Sequence, residues 1–207
     1  MLKKNIKSAL VVLGLLFSLS VFAASGNAIL DSLFHDSNDP VIGNKNGKIT
    51  IVEFFDYQCS HCVNMAYTLE NIVKNNPDVR VVYKEFPIRG AMSDVAARAA
   101  LAANMQGKYY PLHHALLTTD QSLSESTILS IAKAKGLNVD KLKKDMSSAT
   151  VNKIIAANKS LANRLGIAGT PAFFIGKTDA TDTKAVKFEL GEMSQSTLQE
   201  EITKLRQ

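Results

Sequence analysis

The chain has 207 residues, 46% of them hydrophobic, with 24 Lys and Arg set against 19 Asp and Glu for a net charge of +5. That length supports one substantial core, or one core with a satellite subdomain. No basic stripe with interleaved aromatics is present, which sets nucleic-acid binding aside.

Lys3, Lys4 and Lys7 precede an apolar run over residues 9–23, and Val21 and Ala23 are small enough for cleavage after Ala23. This is the layout of a secretory signal peptide. The other reading, an uncleaved anchor, meets a run shorter than the roughly 20 residues that a spanning helix needs. No cysteine stands near the cleavage site to carry a lipid. Loss of residues 1–23 removes three lysines and brings the net charge close to neutral, so the basic balance says little about partners. The bacterial style of the segment points to the periplasm, an oxidising space.

Residues 24–47 form a polar N-terminal segment in which Ile29, Leu30, Leu33 and Phe34 can make a short amphipathic turn or two. Residues 49–55 are β-branched and aromatic and read as a buried strand, with Glu53 alone out of character. Asp56, Tyr57 and Gln58 turn the chain. From 60 to 75, Val63, Ala66, Leu69, Ile72 and Val73 recur at helical spacing, and Asn75, Asn76 and Pro77 end the helix. A second strand follows at 79–86, and the β-α-β order implies parallel pairing. Residues 91–167 read as helical throughout, with an alanine-rich run at 95–103 that permits close packing. Ser124 is placed as an N-cap and Gly136 as a stop. Strands return at 172–175 and 185–190, before a last helix carrying Leu198, Ile202 and Leu205, capped by Ser196 with Gln199. The fold class is α/β, with a helical block inserted between early and late strands.

Both cysteines lie in one motif, Cys59-Ser60-His61-Cys62. A disulfide across so small a loop removes little entropy from the unfolded chain and adds little stability, so the pair reads as a working redox couple. Cys59 at a helix start meets unpaired N–H groups and the positive end of the macrodipole, which favour the thiolate. His61 can add a positive charge or a donor. Cys62, one turn deeper, is expected to be the less exposed, resolving thiol. A more stable thiolate favours the reduced protein and makes its disulfide a stronger oxidant.

The run VEFFDYQCSHC (52–62), with GTP at 169–171, resembles the DsbA-type thiol:disulfide oxidoreductases of the thioredoxin superfamily, and within them the DsbA/Com1/ScsC-like subgroup. PVIGN (40–44), AARAAL (96–101), QGKY (106–109) and LGIAGTP (165–171) fit the same subgroup. The resemblance implies a thioredoxin-like fold interrupted by a helical insertion domain, built from 48–90 and 168–207 around 91–167. It implies Cys59 and Cys62 as the catalytic pair, a redox-active disulfide between them in place of any cofactor, and support from Ser60, His61, Thr170, Pro171 and Glu53. Pro171 matches the family's cis-proline, beside which the Thr170 backbone can bind an extended substrate strand. Glu53 matches a buried acid that assists proton transfer; its other reading is a solvated edge residue. Lys84 is a possible charge partner for it, outside the site.

Reduced or unfolded secreted proteins are the implied substrates, with a DsbB-like membrane redox partner. The short N-terminal segment is no dimerisation stalk, so a monomer is expected. Two departures matter. There is no Trp before the first cysteine, which argues against a cytosolic-type reductase, and Ser60 stands where strong oxidases have Pro. An isomerase or reductase therefore remains an alternative, as does a copper- or peptide-binding module. A closed zinc site lacks its ligands, since no second CxxC or HxxxH exists. Of His113 and His114, one is expected to pack and the other to be solvated; His35 is expected at the surface. The glycosylation-like Asn158-Lys159-Ser160 reads as coincidence.

Overall fold

A computed structural model describes residues 28–207; the signal-peptide reading of residues 1–23 lies outside them. Five strands make one sheet: β1 Val41–Gly43, β2 Ile49–Phe55, β3 Val79–Glu85, β4 Ala172–Lys177 and β5 Lys187–Leu190, in the order β1-β3-β2-β4-β5. β2 and β3 pair in parallel, and the other pairings are antiparallel. β2 is the central strand and every one of its residues is buried. Residues with branched or aromatic side chains suit that place, because the sheet is covered on both faces.

Side chains alternate along β2. Ile49, Ile51 and Phe55 join the core built with α1 (Ser60–Asn75), while Val52 and Phe54 join a second core on the opposite face. The last helix, α7 (Gln195–Leu205), adds Leu198 and Ile202 to the first core. Between β3 and β4 run five helices: α2 (Ala91–Asn104), α3 (Tyr109–Leu117), α4 (Glu125–Ala134), α5 (Val139–Met146) and α6 (Ala149–Arg164). α2 is their hub. Its alanines 96, 97, 99, 100, 102 and 103 are all buried and let neighbouring helices approach closely. α6 returns to the sheet and contributes Leu161 and Ala162 to the second core.

Leu30, Leu33 and Phe34 are buried in a short helical stretch ending in a π-helical turn at Asp31–His35, which closes that same second core. The three-residue β1 has no apolar period and was not foreseen in the polar stretch before β2. It ends on Gly43, at φ +78°, where a Cβ would stand 2.7 Å from the Val79 carbonyl oxygen. The start of α7 also differs from expectation. Ser194, not Ser196, is its N-cap, with Oγ accepting from the Thr197 N–H at 3.1 Å. Gln199 instead exchanges side-chain hydrogen bonds with Asn76. Ser124 caps α4 as expected. Asn158 is buried and its amide donates to the Glu85 carbonyl, so no sugar fits there.

Candidate active site

β2 delivers the chain to the turn at Asp56–Gln58, and Cys59 is the N-cap of α1. The turn is held by one buried carboxylate. Asp56 Oδ1 accepts from the Gln58 N–H and the Ser93 hydroxyl, both at 2.7 Å, and Oδ2 accepts from the Ile88 and Arg89 N–H groups at 2.7 and 2.9 Å. One side chain thus locks the cysteine turn to the loop after β3 and to the start of α2. Sequence reading missed Asp56, although an Asp placed to accept from the residue two further on is the usual turn-forming arrangement.

Both cysteines are free thiols with no accessible surface. Exposure therefore does not separate them as expected; their electrostatics do. The Cys59 Sγ–H donates to the Thr170 carbonyl oxygen at 3.2 Å across 111 residues of sequence, and the Thr170–Pro171 peptide is cis. Burial alone would push the Cys59 thiol up. The Thr170 side chain, the thiol and backbone of Cys62 and the Arg89 charge outweigh it and hold Cys59 below the ordinary cysteine value. Cys62 is moved strongly the other way, first by burial and next by the charge of Glu53. One thiol ionises readily and the other resists ionisation.

Glu53 is buried, on the α1 face of the sheet, and its Oε1 has no hydrogen-bond partner among the described residues. Burial, then the charge of Cys59, pushes its carboxyl well above the ordinary range. The solvated-edge reading of Glu53 is thereby removed. Lys84 is not its partner. The register sets Glu53 beside Tyr83 and Phe54 beside Lys84, so alternation sends Glu53 and Lys84 to opposite faces. Lys84 pairs instead with buried Asp39 and donates to the Ser32 carbonyl.

A second buried acid escaped sequence reading. Glu85, at the end of β3, accepts at Oε1 from the hydroxyls of Tyr57 (3.0 Å) and Tyr109 (2.8 Å). Tyr57 also meets His113 Nδ1 at 3.0 Å. Burial pushes Glu85 well above the ordinary carboxyl range and lowers His113 to about 3. The strand also carries Arg80 and Lys84, so no lone charge marked Glu85 out as one marked Glu53. His113 is thus the packed histidine, while His114 is part-exposed near Glu70 and His35 is exposed.

Ser60 and His61 open α1 and face outward. His61 Nδ1 lies 2.9 Å from Glu192 Oε2, in the turn after β5. The structure therefore brings Cys59, Cys62, Thr170 and Pro171 together, puts Glu53 beneath them, and turns His61 toward the rim. Among the described residues no group of three or more His, Cys, Asp or Glu side chains is placed to hold a metal ion.

Comparison with known proteins agrees with this geometry. Residues 50–203 match the DSBA-like thioredoxin domain. A solved thioredoxin-like oxidoreductase from Silicibacter pomeroyi DSS-3 is 43% identical, with a TM-score of 0.78, over 85% of this chain and 96% of that one. A periplasmic thioredoxin-like protein from Salmonella enterica serovar Typhimurium is 30% identical, with a TM-score of 0.73, over 86% and 95%. A probable disulfide bond formation protein D from Bacillus cereus is 25% identical over 80% of this chain and 88% of its own length. The chain also matches a sodium/proton antiporter NhaA 3 of Salinispora tropica at 27% identity, but spans only 21% of that protein. On its sequence, its sheet and the meeting of its CxxC pair with a cis-proline, the chain belongs to the DsbA-like family of thiol-disulfide oxidoreductases.

Proposed function

We propose that this protein is a periplasmic dithiol oxidase that places disulfides in secreted proteins. The observation that carries the reading is the asymmetry of the couple: Cys59 below the ordinary thiol value, Cys62 far above it. In the working cycle a substrate thiolate attacks Cys59 Sγ of the Cys59–Cys62 disulfide. The S–S bond breaks, Cys62 departs with the electron pair, and a mixed disulfide joins substrate to Cys59. Cys62 is a poor leaving group as a bare thiolate, and Glu53 beneath it supplies the proton. A second substrate thiolate then attacks the substrate sulfur of the mixed disulfide. Cys59 leaves as a stable thiolate, the substrate is oxidised by two electrons, and the dithiol awaits a membrane partner of the DsbB type. The Thr170 backbone beside Pro171 binds the extended substrate strand.

No cofactor beyond the two sulfurs enters this cycle, and a monomer suffices for it. Among the described residues no helix is long and apolar enough to cross a membrane. A periplasmic location rests on the leader-like N-terminus and on the named location of the Salmonella relative. Ser60, in place of proline, favours an isomerase or reductase as the second reading. The equilibrium of the couple with glutathione separates oxidase from reductase, and turnover of a scrambled-disulfide substrate separates oxidase from isomerase. A potential well above about −200 mV is expected, and one near the −270 mV or so of a cytosolic reductant would sink the oxidase reading.

A further inference from the structure

Asp56 fastens a cation to the edge of the site. Its carbonyl oxygen accepts from the Cys59 N–H at 3.1 Å, while its Oδ2 accepts from the Ile88 and Arg89 N–H groups at 2.7 and 2.9 Å. Gln58 adds a further tie, its side-chain amide donating to the Arg89 carbonyl at 3.0 Å. The loop after β3 is thus fixed by its backbone to the turn that carries Cys59, and Ile88 and Arg89 themselves are exposed. The side chains of Arg80, Arg98 and Arg206 donate to protein oxygens. The Arg89 guanidinium makes no such bond among the described residues, and its charge reaches the Cys59 sulfur. The sheet order sets what lies across from it. β3 flanks β2 on one side; β4 and β5 lie on the other, and the turn after β5 carries Glu192. Cys59 therefore has an unpaired cation on one side and, on the other, a carboxylate already engaged by His61 and Asn64.

We propose that Arg89 determines specificity: it selects client segments in which an acidic side chain lies close to the cysteine being oxidised. A client strand held at Thr170 with its sulfur at Cys59 passes beside the loop after β3. A carboxylate there meets a guanidinium whose donors are all unoccupied. Little ordering cost opposes the contact on the protein's side, because the loop backbone is already fixed. On the far side of the cysteine the same carboxylate approaches Glu192, which repels it. The preference is accordingly for an acid on one side of the cysteine, not for acidic clients at large. The proposal rests on the oxidase reading above and names its client class.

The test uses synthetic dithiol peptides in which both cysteines, joined by a Gly-Ser linker, are preceded or else followed by Glu, Gln or Lys. The rate of oxidation of each peptide by the oxidised protein is divided by its rate with hydroxyethyl disulfide, which removes the peptide's own thiol reactivity. At one of the two placements the Glu peptide is expected to react about threefold faster than the Lys peptide, the size of an exposed ion pair. Arg89→Gln is expected to abolish that preference and Arg89→Glu to reverse it. At about 0.5 M salt the preference shrinks. Any effect of these substitutions on Cys59 itself scales every peptide alike and leaves the Glu-to-Lys ratio unmoved, so the ratio reports contact with the client. The proposal is overturned if the ratio is near one at both placements, or if it is the same in the Arg89→Glu protein. Oxidation without charge preference sinks this inference alone, whereas failure of the unsubstituted protein to oxidise any of the peptides sinks the oxidase reading with it.

Discussion

Glu53 carries a carboxyl into the centre of a sheet and leaves one of its oxygens unpaired. Its folded-state value is raised, so the folded protein holds that proton more tightly than the unfolded chain does. Stability from this group is therefore fullest below the ordinary value of 4.5 and is lost as pH climbs through the raised one. Glu53→Gln is expected to stabilise the protein by about 1–3 kcal/mol at pH 8 and by little at pH 4, as read by urea unfolding at the two pH values. The same substitution should slow oxidation of a reduced peptide, because Cys62 loses its proton source. Stabilisation together with slowing marks a residue kept for chemistry. A Glu53→Gln protein that is less stable at pH 8 would refute the assignment.

At the scale of single elements, helix ends decide how accurately the chain could be read. β2 and α1 were legible to the residue, because branched residues without a break and then a clean apolar period leave one choice. Cys59, Cys62, Thr170 and Pro171 were legible because the two motifs are specific when taken together. Asp56 and Glu85 were not, since each works through partners that are remote in sequence, such as Ser93, Arg89 and Tyr109. Nor was the true cap of α7. Ser194 and Ser196 are chemically equivalent, and only the extended backbone at Ser194 (φ −71°, ψ 154°) makes it the cap. Ser194→Ala is expected to lower stability by about 1 kcal/mol, whereas Ser196→Ala should leave the urea midpoint nearly unchanged. Equal effects would show that both serines share the cap.

Across the whole molecule, two cores lie back to back on one sheet, and their polar contents differ. The α1 side holds Glu53, Glu85 and His113 near the cysteines; the other side holds the Lys84–Asp39 pair, with both side chains buried. Burial raises Asp39 to about 6 even against the pull of Lys84. Removing one member of such a pair strands the other. Asp39→Ala is accordingly expected to destabilise the protein by roughly 3–5 kcal/mol, measured by thermal or urea unfolding. The glutathione equilibrium of whatever remains folded should not move, because the sheet stands between the two polar groups. A shift in the couple would show that the faces communicate.

The hydrogen bond between Cys59 and Thr170 spans 111 residues and exists only once β4 has paired with β2. Before that pairing, the chain carries two ordinary thiols and is itself a possible client of any oxidant nearby. The completed sheet sets the cis-proline wall against Cys59 and so finishes the site. A copy truncated before residue 172 lacks the strand that brings Thr170 to Cys59. The geometry of the couple is thus set from both ends of the chain at once.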